Sequence, residues 1–163
     1  MSRRRLPPAP CIAYGDHPDQ VANLHLPAQE GRPWPCVALL HGGFWRTGWD
    51  RTLMTALAAD LAGRGIAAWN VEYRRVGEEG GGWPGTFADV AAAIDRLAEV
   101  EEVDPRRVAT CGHSAGGHLA LWLACEQSTR CACRSRETHR RHVGSAGELC
   151  GASCAVQVRF PTP

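Results

Sequence analysis

The sequence of 163 residues contains no lysine, so arginine supplies all 18 of its basic side chains. We interpret this absence as a sign of a GC-rich coding sequence and not as chemistry. The net charge is only +1, and a chain so close to neutral gives no reason to expect a nucleic acid or an anionic membrane as partner. We therefore predict neither among its partners.

Long apolar runs are also missing. No segment reaches the roughly 20 apolar residues that a membrane-spanning helix needs. Residues 1–10 are rich in arginine and proline and precede no apolar stretch of the kind that a signal peptide requires. The prolines also disfavour a twin-arginine export signal at Arg3-Arg4. We expect residues 1–10 to be disordered and the protein to be cytoplasmic.

Apolar strand-like runs and helical patterns alternate through residues 11–125. Hydrophobic residues make up 44% of the chain, which is enough for one domain with a core. Helices of crossover length between apolar strands are typical of an α/β fold, here a mostly parallel sheet with helices on both faces. In the first helix Leu53, Leu57 and Leu61 fall on one face. We predict strands over 21–26, 36–40, 66–73 and 107–111, and helices over 51–62, 87–100 and 115–125.

A sharp turn is predicted between the strand over 107–111 and the helix that follows it. The turn reads Gly112-His-Ser-Ala-Gly116, a G-x-S-x-G sequence in the strand–turn–helix context that this motif requires. A serine on so sharp a turn has a strained backbone, and its neighbours two before and two after must lack side chains to avoid collision. Ser114 is therefore a candidate nucleophile.

A second glycine-rich turn follows the strand over 36–40 and reads His41-Gly42-Gly43-Phe44-Trp45. Ligands of open α/β sheets bind beyond the carboxyl ends of the strands, and both turns lie at such ends. We expect the two turns to face the same crevice.

These residues resemble the α/β-hydrolase superfamily, in the branch that holds hormone-sensitive-lipase-like esterases, feruloyl and acetyl esterases, and kynurenine formamidases. The resemblance covers about Val21 to Ala124, which corresponds to the N-terminal half of that fold. A lone Gly-x-Ser-x-Gly is a weak signal, but its pairing with His-Gly-Gly-x-Trp after an upstream strand is specific. The other anchors are Glu72-Tyr73-Arg74, Trp83-Pro84, Asp89-Val90 and Val103-Asp-Pro-Arg106.

The resemblance implies a serine hydrolase that needs no cofactor or metal and acts on carboxylic esters, or on N-formyl amides, through an acyl-enzyme. Ser114 would attack the carbonyl carbon, and backbone amides would hold the resulting oxyanion. The resemblance places these donors at Ala115 and in the loop that contains Gly42, Gly43 and Phe44. The expected partner is a small-molecule ester or amide.

Some ring side chains near the two turns are open to more than one interpretation. We interpret His41 as a structural residue that holds its loop, because the resembled family takes its catalytic base from late in the chain. Trp45, Trp49 and Trp83 could line an acyl or aryl pocket, or they could pack in the core.

No acid and base follow Ser114 in a recognisable setting. The fold orders its triad as serine, then aspartate or glutamate, then histidine, yet no aspartate follows Asp104. We predict a truncated and weakly active or inactive hydrolase, since a serine without its base loses several orders of magnitude in rate. The alternative is a non-catalytic binding or scaffold protein that retains the crevice. The later candidates, none in a strand–loop setting, are Glu126, Glu137, Glu148, His139 and His142.

Composition changes at residue 126, where apolar periodicity ends, and five of the eight cysteines lie from Cys125 onward. A disulfide-rich tail would need an oxidising compartment. We favour an irregular, disordered tail over 126–163, whose family sequence is lost through a frameshift or truncation. The half sheet would then leave an unpaired edge, which favours self-association. A zinc site of suitable ligand types but non-standard spacing would use Cys131, Cys133, His139 and His142.

Overall fold

The computed structural model of the chain describes residues 9–134 and 154–158. A 3-10 turn, Arg51–Met54, precedes the first helix, and the side chain of its N-cap Asp50 accepts a hydrogen bond from the amide of Thr52. The elements in chain order are β1 Cys11–Ala13, β2 Val21–His25, β3 Trp34–Leu40, α1 Thr55–Gly63, β4 Ala67–Val71, α2 Gly85–Leu97, β5 Val103–Gly112, α3 Ala115–Arg134 and β6 Cys154–Val158.

Within the described residues the strands form one sheet in the order β1-β2-β4-β3-β5-β6. The central strands β4, β3 and β5 run parallel, while β2 pairs antiparallel with β4 and β1 pairs antiparallel with β2. The α/β fold is confirmed, and the sheet is mixed with its parallel strands at the centre. β1 and β2 are joined by residues 14–20 alone, and so short a connection permits only antiparallel pairing.

The side chains of β3 alternate between two cores on opposite faces of the sheet. Cys36, Ala38 and Leu40 belong to the larger core, which α2 and α3 cover. Leu39 belongs to the smaller core, where Val37 packs beside it under α1. This alternation follows from the pleat of a strand, which turns successive side chains to opposite faces. Helices therefore cover both faces of the sheet.

The buried face of α1 differs from the leucine stripe in the sequence. Ala58 packs against Leu39 and Ala68 of the sheet, together with Met54 from the preceding turn. Leu53 and Leu57 are 46% and 39% exposed. Alanines on both contacting surfaces let the helix approach the sheet closely, so the longer leucine side chains lie at the margin. These two leucines line a pocket described below.

Two segments beyond residue 125 differ from the irregular tail that the sequence predicts. α3 continues to Arg134, because no glycine or proline interrupts residues 118–134. β6 pairs antiparallel with β5 along Val108 to Gly112. β5 is thus paired on both sides, and β6 forms this edge of the sheet among the described residues. Self-association through an unpaired edge stays a prediction. The remainder of that predicted tail, 135–153 and 159–163, lies outside the described residues, as do residues 1–8.

Candidate active site

Ser114 lies between the last residue of β5 and the first residue of α3 and is exposed. Its φ is +52°, in the left-handed region that side chains other than glycine rarely adopt. The amide of His113 donates to the carbonyl of Leu40 at 3.1 Å, which fixes this turn to the carboxyl end of β3. The strained turn that the sequence predicts is therefore present, and it presents the serine side chain to solvent.

The glycines on either side of Ser114 are required by the space around them. A β-carbon on Gly112 would lie 2.1 Å from the carbonyl oxygen of Gly116. One on Gly116 would lie 2.1 Å from the carbonyl oxygen of Leu40. Both obstacles are backbone atoms, which cannot rotate away as the end of a side chain can, so neither position accepts a larger residue.

The loop that follows β3 meets this turn. A β-carbon on Gly42 would lie 2.7 Å from Nδ1 of His113 and 3.2 Å from Cβ of Ser114. Gly43, with φ of +117°, and Phe44, with φ of +54°, continue the loop in left-handed backbone. The structure thus brings the two glycine-rich turns together at the carboxyl ends of neighbouring parallel strands, where the sequence places them.

Three backbone amides near Ser114 have no partner in the part of the chain that the structure describes. They belong to Gly43, Phe44 and Ala115, and none donates to a carbonyl or a side chain. Ala115 is the first residue of α3, and the first N–H groups of a helix have no intrahelical acceptor. Such amides are available to a ligand oxygen.

His41 is buried at the start of the loop, with both ring nitrogens engaged. Its Nε2 donates to Oε1 of Glu72 at 2.9 Å, and its Nδ1 lies 2.8 Å from the carbonyl oxygen of Gly42. The ring stacks on Tyr73 with centroids 4.2 Å apart, and the Tyr73 hydroxyl donates to the His41 carbonyl at 2.7 Å. These contacts fit the structural role that the sequence indicates for His41.

The buried carboxylate of Glu72 accepts hydrogen bonds from three residues of this region. Besides His41, it accepts hydrogen bonds from the amides of Arg51 at 2.9 Å and Tyr73 at 3.2 Å. Burial by itself would raise the pKa of the Glu72 carboxyl, but the hydrogen bonds from His41 and Arg51 and the charge of Arg75 outweigh it. The pKa of Glu72 is consequently held below its ordinary value, and the side chain is ionised at neutral pH.

A pocket of about 500 Å³ opens beside Ser114, between its turn, the loop after β3 and α1. Burial raises the pKa of the Cys111 thiol, so this wall residue is protonated at neutral pH. Sequence reasoning missed Leu53 and Leu57 as pocket residues. The available signal was a pair of leucines four residues apart directly after a glycine-rich loop, beside alanines that could fill the buried face. The apolar wall consists of Phe44, Trp49, Leu53, Met54, Leu57 and Cys111.

The three tryptophans for which the sequence allows either a pocket or a core position lie in different places. Trp49 lines the pocket. Trp45 is partly buried against the larger core and meets the ring of His118 edge-on, with centroids 5.6 Å apart. Trp83 is 74% exposed and forms a T-shaped contact with Phe87, with ring centroids 4.9 Å apart. Of the three, Trp49 alone has the place of a pocket residue.

Ser114 lacks a hydrogen-bonded base among the residues with described side chains. Neither His113 nor His118 bonds to its hydroxyl, and His118 instead contacts aromatic rings. Glu126 lies far along α3 and has interactions of its own. The other sequence candidates for acid and base, Glu137, Glu148, His139 and His142, lie outside the described residues, and so does the histidine pair of the suggested zinc site.

Two further features are absent from the described part of the chain. It contains no group of three or more histidine, cysteine, aspartate or glutamate side chains that could hold a metal ion. It also contains no helix that is both long and apolar enough to cross a bilayer.

Several known proteins of similar sequence and structure are esterases. Isoprenylcysteine alpha-carbonyl methylesterase of Arabidopsis thaliana is 30% identical over 128 residues, which cover 73% of this chain and 28% of that protein. Esterase B of Lactobacillus rhamnosis superposes with a TM-score of 0.65 at 32% identity, covering 72% of this chain and 38% of that one. The thermophilic esterase Est2 of Thermogutta terrifontis superposes with a TM-score of 0.61 at 28% identity. The match covers 70% of this chain and 43% of that one. This chain therefore spans less than half the length of each.

The family model described as BD-FAE matches residues 22–146. The matched region includes both glycine-rich turns and extends beyond Ala124, where the resemblance seen in the sequence ends. It covers well over half of the chain. The chain therefore belongs to the BD-FAE family, within the esterase branch of the α/β-hydrolase superfamily.

Proposed function

We propose that Ser114 is the nucleophile of a serine esterase site, and that this chain carries the half of the site which attacks the ester and holds its oxyanion. The observation that carries the proposal is the contact between the two turns. A β-carbon on Gly42 would lie only 3.2 Å from Cβ of Ser114, so the loop after β3 lies directly against the serine. The esterase relatives support the reaction class.

In the proposed reaction, Oγ of Ser114 bonds to the carbonyl carbon of the ester while its proton passes to a base. The carbonyl oxygen takes up the electron pair, and the amides of Ala115, Gly43 and Phe44 donate to it, with Gly42 leaving room for its approach. Each such donor typically stabilises the transition state by about 3–4 kcal/mol. The carbonyl bond then re-forms as the bond to the alkoxide breaks, and the base returns its proton to the alkoxide, which leaves as the alcohol. Water hydrolyses the resulting acyl-serine to the acid and restores Ser114.

The proton acceptor is missing among the side chains that the structure describes. No histidine is hydrogen-bonded to Ser114 among the side chains that the structure describes, and His41 is engaged with Glu72. We therefore propose that the chain by itself is weakly active or inactive, because loss of the base costs several orders of magnitude in rate while the oxyanion donors retain a residual effect.

We further propose that the substrate is a small-molecule carboxylic ester, with an N-formyl amide as the second choice. The pocket beside Ser114 has a volume of about 500 Å³, within the range typical of small-molecule sites. Its wall of Phe44, Trp49, Leu53 and Leu57 offers apolar contact and no charge. The substrate should therefore carry an apolar group next to the ester carbonyl.

Hydrolysis of p-nitrophenyl acetate by the purified chain and by Ser114→Ala tests this proposal. We expect slow release of p-nitrophenol that the substitution removes. Release that is equal in the two proteins would contradict a nucleophilic Ser114, and fast serine-dependent turnover would contradict the proposed weak activity.

A non-catalytic binding function is the second candidate, favoured by the lack of a base bonded to Ser114 among the described side chains. It predicts that the pocket binds an apolar ester analogue although no acyl-serine forms. Equilibrium binding of a non-hydrolysable ketone analogue, measured alongside the acetate assay, separates the two functions.

A further inference from the structure

The segment Glu72–Val76, directly after β4, holds the loop after β3 along its whole length. Glu72 and Tyr73 bind His41 at the start of the loop. The amide of Val76 donates to the carbonyl of Trp45 at 2.6 Å, in the middle. Glu72 also accepts a hydrogen bond from the amide of Arg51, where the loop ends. This one segment therefore holds the loop at its start, in its middle and at its end.

Arg75 makes the remaining contact and is the most heavily bonded side chain of the segment. It is buried, with 8% of its surface exposed. Its Nη1 donates to the carbonyl oxygen of Trp49 at 2.7 Å. The same guanidinium lies 2.7 Å from Glu78, 3.1 Å from Asp19 and 3.4 Å from Glu72. Three carboxylates thus orient a single cation toward one loop carbonyl.

Trp49 in turn lies directly against Gly43. A β-carbon on Gly43 would lie 2.4 Å from Cβ and 2.5 Å from Cγ of Trp49. The φ of +117° at Gly43 is accessible to glycine and strained for other residues. Any shift of Trp49 would release the packing that keeps Gly43, and the amide of Phe44 after it, in this conformation.

We propose that Arg75 is a positioning residue for the oxyanion donors, which fixes Trp49 through its carbonyl and thereby holds the amides of Gly43 and Phe44 in place. The inference rests on the proposed function, in which these amides bind the oxyanion. Arg75 itself touches neither Ser114 nor the pocket, so its effect passes through Trp49.

The chemistry of the position explains why it is an arginine. A guanidinium is planar, permanently charged and donates in several fixed directions, so it can serve Glu78 and the Trp49 carbonyl together. A lysine would keep the positive charge among the three carboxylates, but its flexible ammonium group lacks the planar set of N–H donors with fixed directions. Charge and geometry can therefore be separated by substitution.

Arg75→Ala, Arg75→Lys and the control Arg74→Ala test the proposal in the full chain. Arg74 precedes Arg75 and forms a two-pronged pair with Asp89, at 2.7 and 2.9 Å, away from the loop. Arg74→Ala therefore removes an ion pair with hydrogen bonds of similar length and leaves the contact between Arg75 and Trp49 in place. Arg75→Lys retains the charge and so guards against the loss of the whole fold.

The first measurement is hydrogen exchange of the peptide that contains residues 43–49. We expect exchange about tenfold faster in Arg75→Ala than in wild type, an intermediate effect in Arg75→Lys, and no change in Arg74→Ala, because local opening follows the loss of local hydrogen bonds. Equal exchange in this peptide for Arg75→Ala and Arg74→Ala would overturn the proposal.

The second measurement is the rate at which a fluorophosphonate labels Ser114. We expect a fall of about 10- to 100-fold in Arg75→Ala and a smaller fall in Arg75→Lys, since displaced donors stabilise the transition state poorly. An equal fall in Arg74→Ala would overturn the proposal by showing general destabilisation. Failure of the wild-type chain to react at Ser114 would instead contradict the proposed function, and the exchange comparison would still decide whether Arg75 orders the loop.

Discussion

Gly42 and His113 are in direct contact, since a β-carbon on Gly42 would lie 2.7 Å from Nδ1 of the histidine. The two residues belong to turns that are 71 positions apart in sequence and that follow neighbouring parallel strands, β3 and β5. Their contact places the unpartnered amides of the first turn beside the strained serine of the second. The candidate site depends on this one approach.

The tight fit of Gly116 against Leu40 gives the first prediction. Gly116→Ala should destabilise the fold by about 3 kcal/mol or more, because the new β-carbon would collide with a backbone oxygen 2.1 Å away. Gly63→Ala is the matched control: Gly63 is exposed at the end of α1 and a β-carbon there meets nothing within 4 Å. Urea unfolding of both variants should show no loss of stability for the control, with a gain of up to about 1 kcal/mol. Equal effects would contradict the account of the turn.

The depressed pKa of Glu72 gives the second prediction. Since its folded-state pKa lies below the ordinary 4.5, the ionised carboxylate stabilises the fold above that pH, and this contribution is lost as the pH falls through the lower, folded-state value. Glu72→Gln should cost about 2–4 kcal/mol at neutral pH. The difference from wild type should shrink when unfolding is repeated at pH values below 4.5.

Glu99→Gln serves as the control for that comparison. Glu99 is exposed and pairs only at the surface with Arg96 at 3.1 Å. Exposed pairs of this kind contribute about 0–1 kcal/mol, so this variant should stay close to wild type at every pH. A pH-independent gap between Glu72→Gln and wild type would be inconsistent with the charged state assigned to Glu72.

The apolar wall of the pocket gives the third prediction. Leu57→Ser should weaken the binding of an apolar ester analogue by about fivefold, because roughly 1 kcal/mol of apolar contact is lost. Its effect on unfolding should be small, since Leu57 is 39% exposed. Leu121→Ser is the matched control: Leu121 is 49% exposed on α3 and does not line the pocket. Titration calorimetry of the three proteins checks the affinities, and urea unfolding checks the stability. Equal affinities would show that the ligand binds elsewhere.

Local sequence signals predicted the elements that carry the site. The apolar run Cys36–Leu40, the run 107–111 and the glycines beside Ser114 each follow a local rule, namely buried-strand composition or the space requirement of a sharp turn. For that reason the α/β fold and the placement of both turns at strand ends could be stated in advance.

The remaining features depend on contacts between distant residues. The buried face of α1 is determined by the small side chains that the helix meets on the sheet, such as Ala68. The spacing of the leucines alone does not predict which face that is. The bonding of Arg75 to the carbonyl of Trp49 joins residues 26 positions apart. The antiparallel strand β6 follows residues that lack apolar periodicity, so its pairing with β5 left no clear pattern in the sequence.

Labelling of the intact chain by a fluorophosphonate, with the modified residue located by peptide mass spectrometry, directly tests whether Ser114 is a nucleophile that faces the oxyanion donors. A phosphonyl group attaches to a serine only where the nucleophile and the oxyanion donors face the same ligand. The account predicts one slow adduct, at Ser114, which Ser114→Ala removes while the fold is retained. An adduct at another serine, or no adduct after prolonged exposure of the folded wild-type chain, would contradict it.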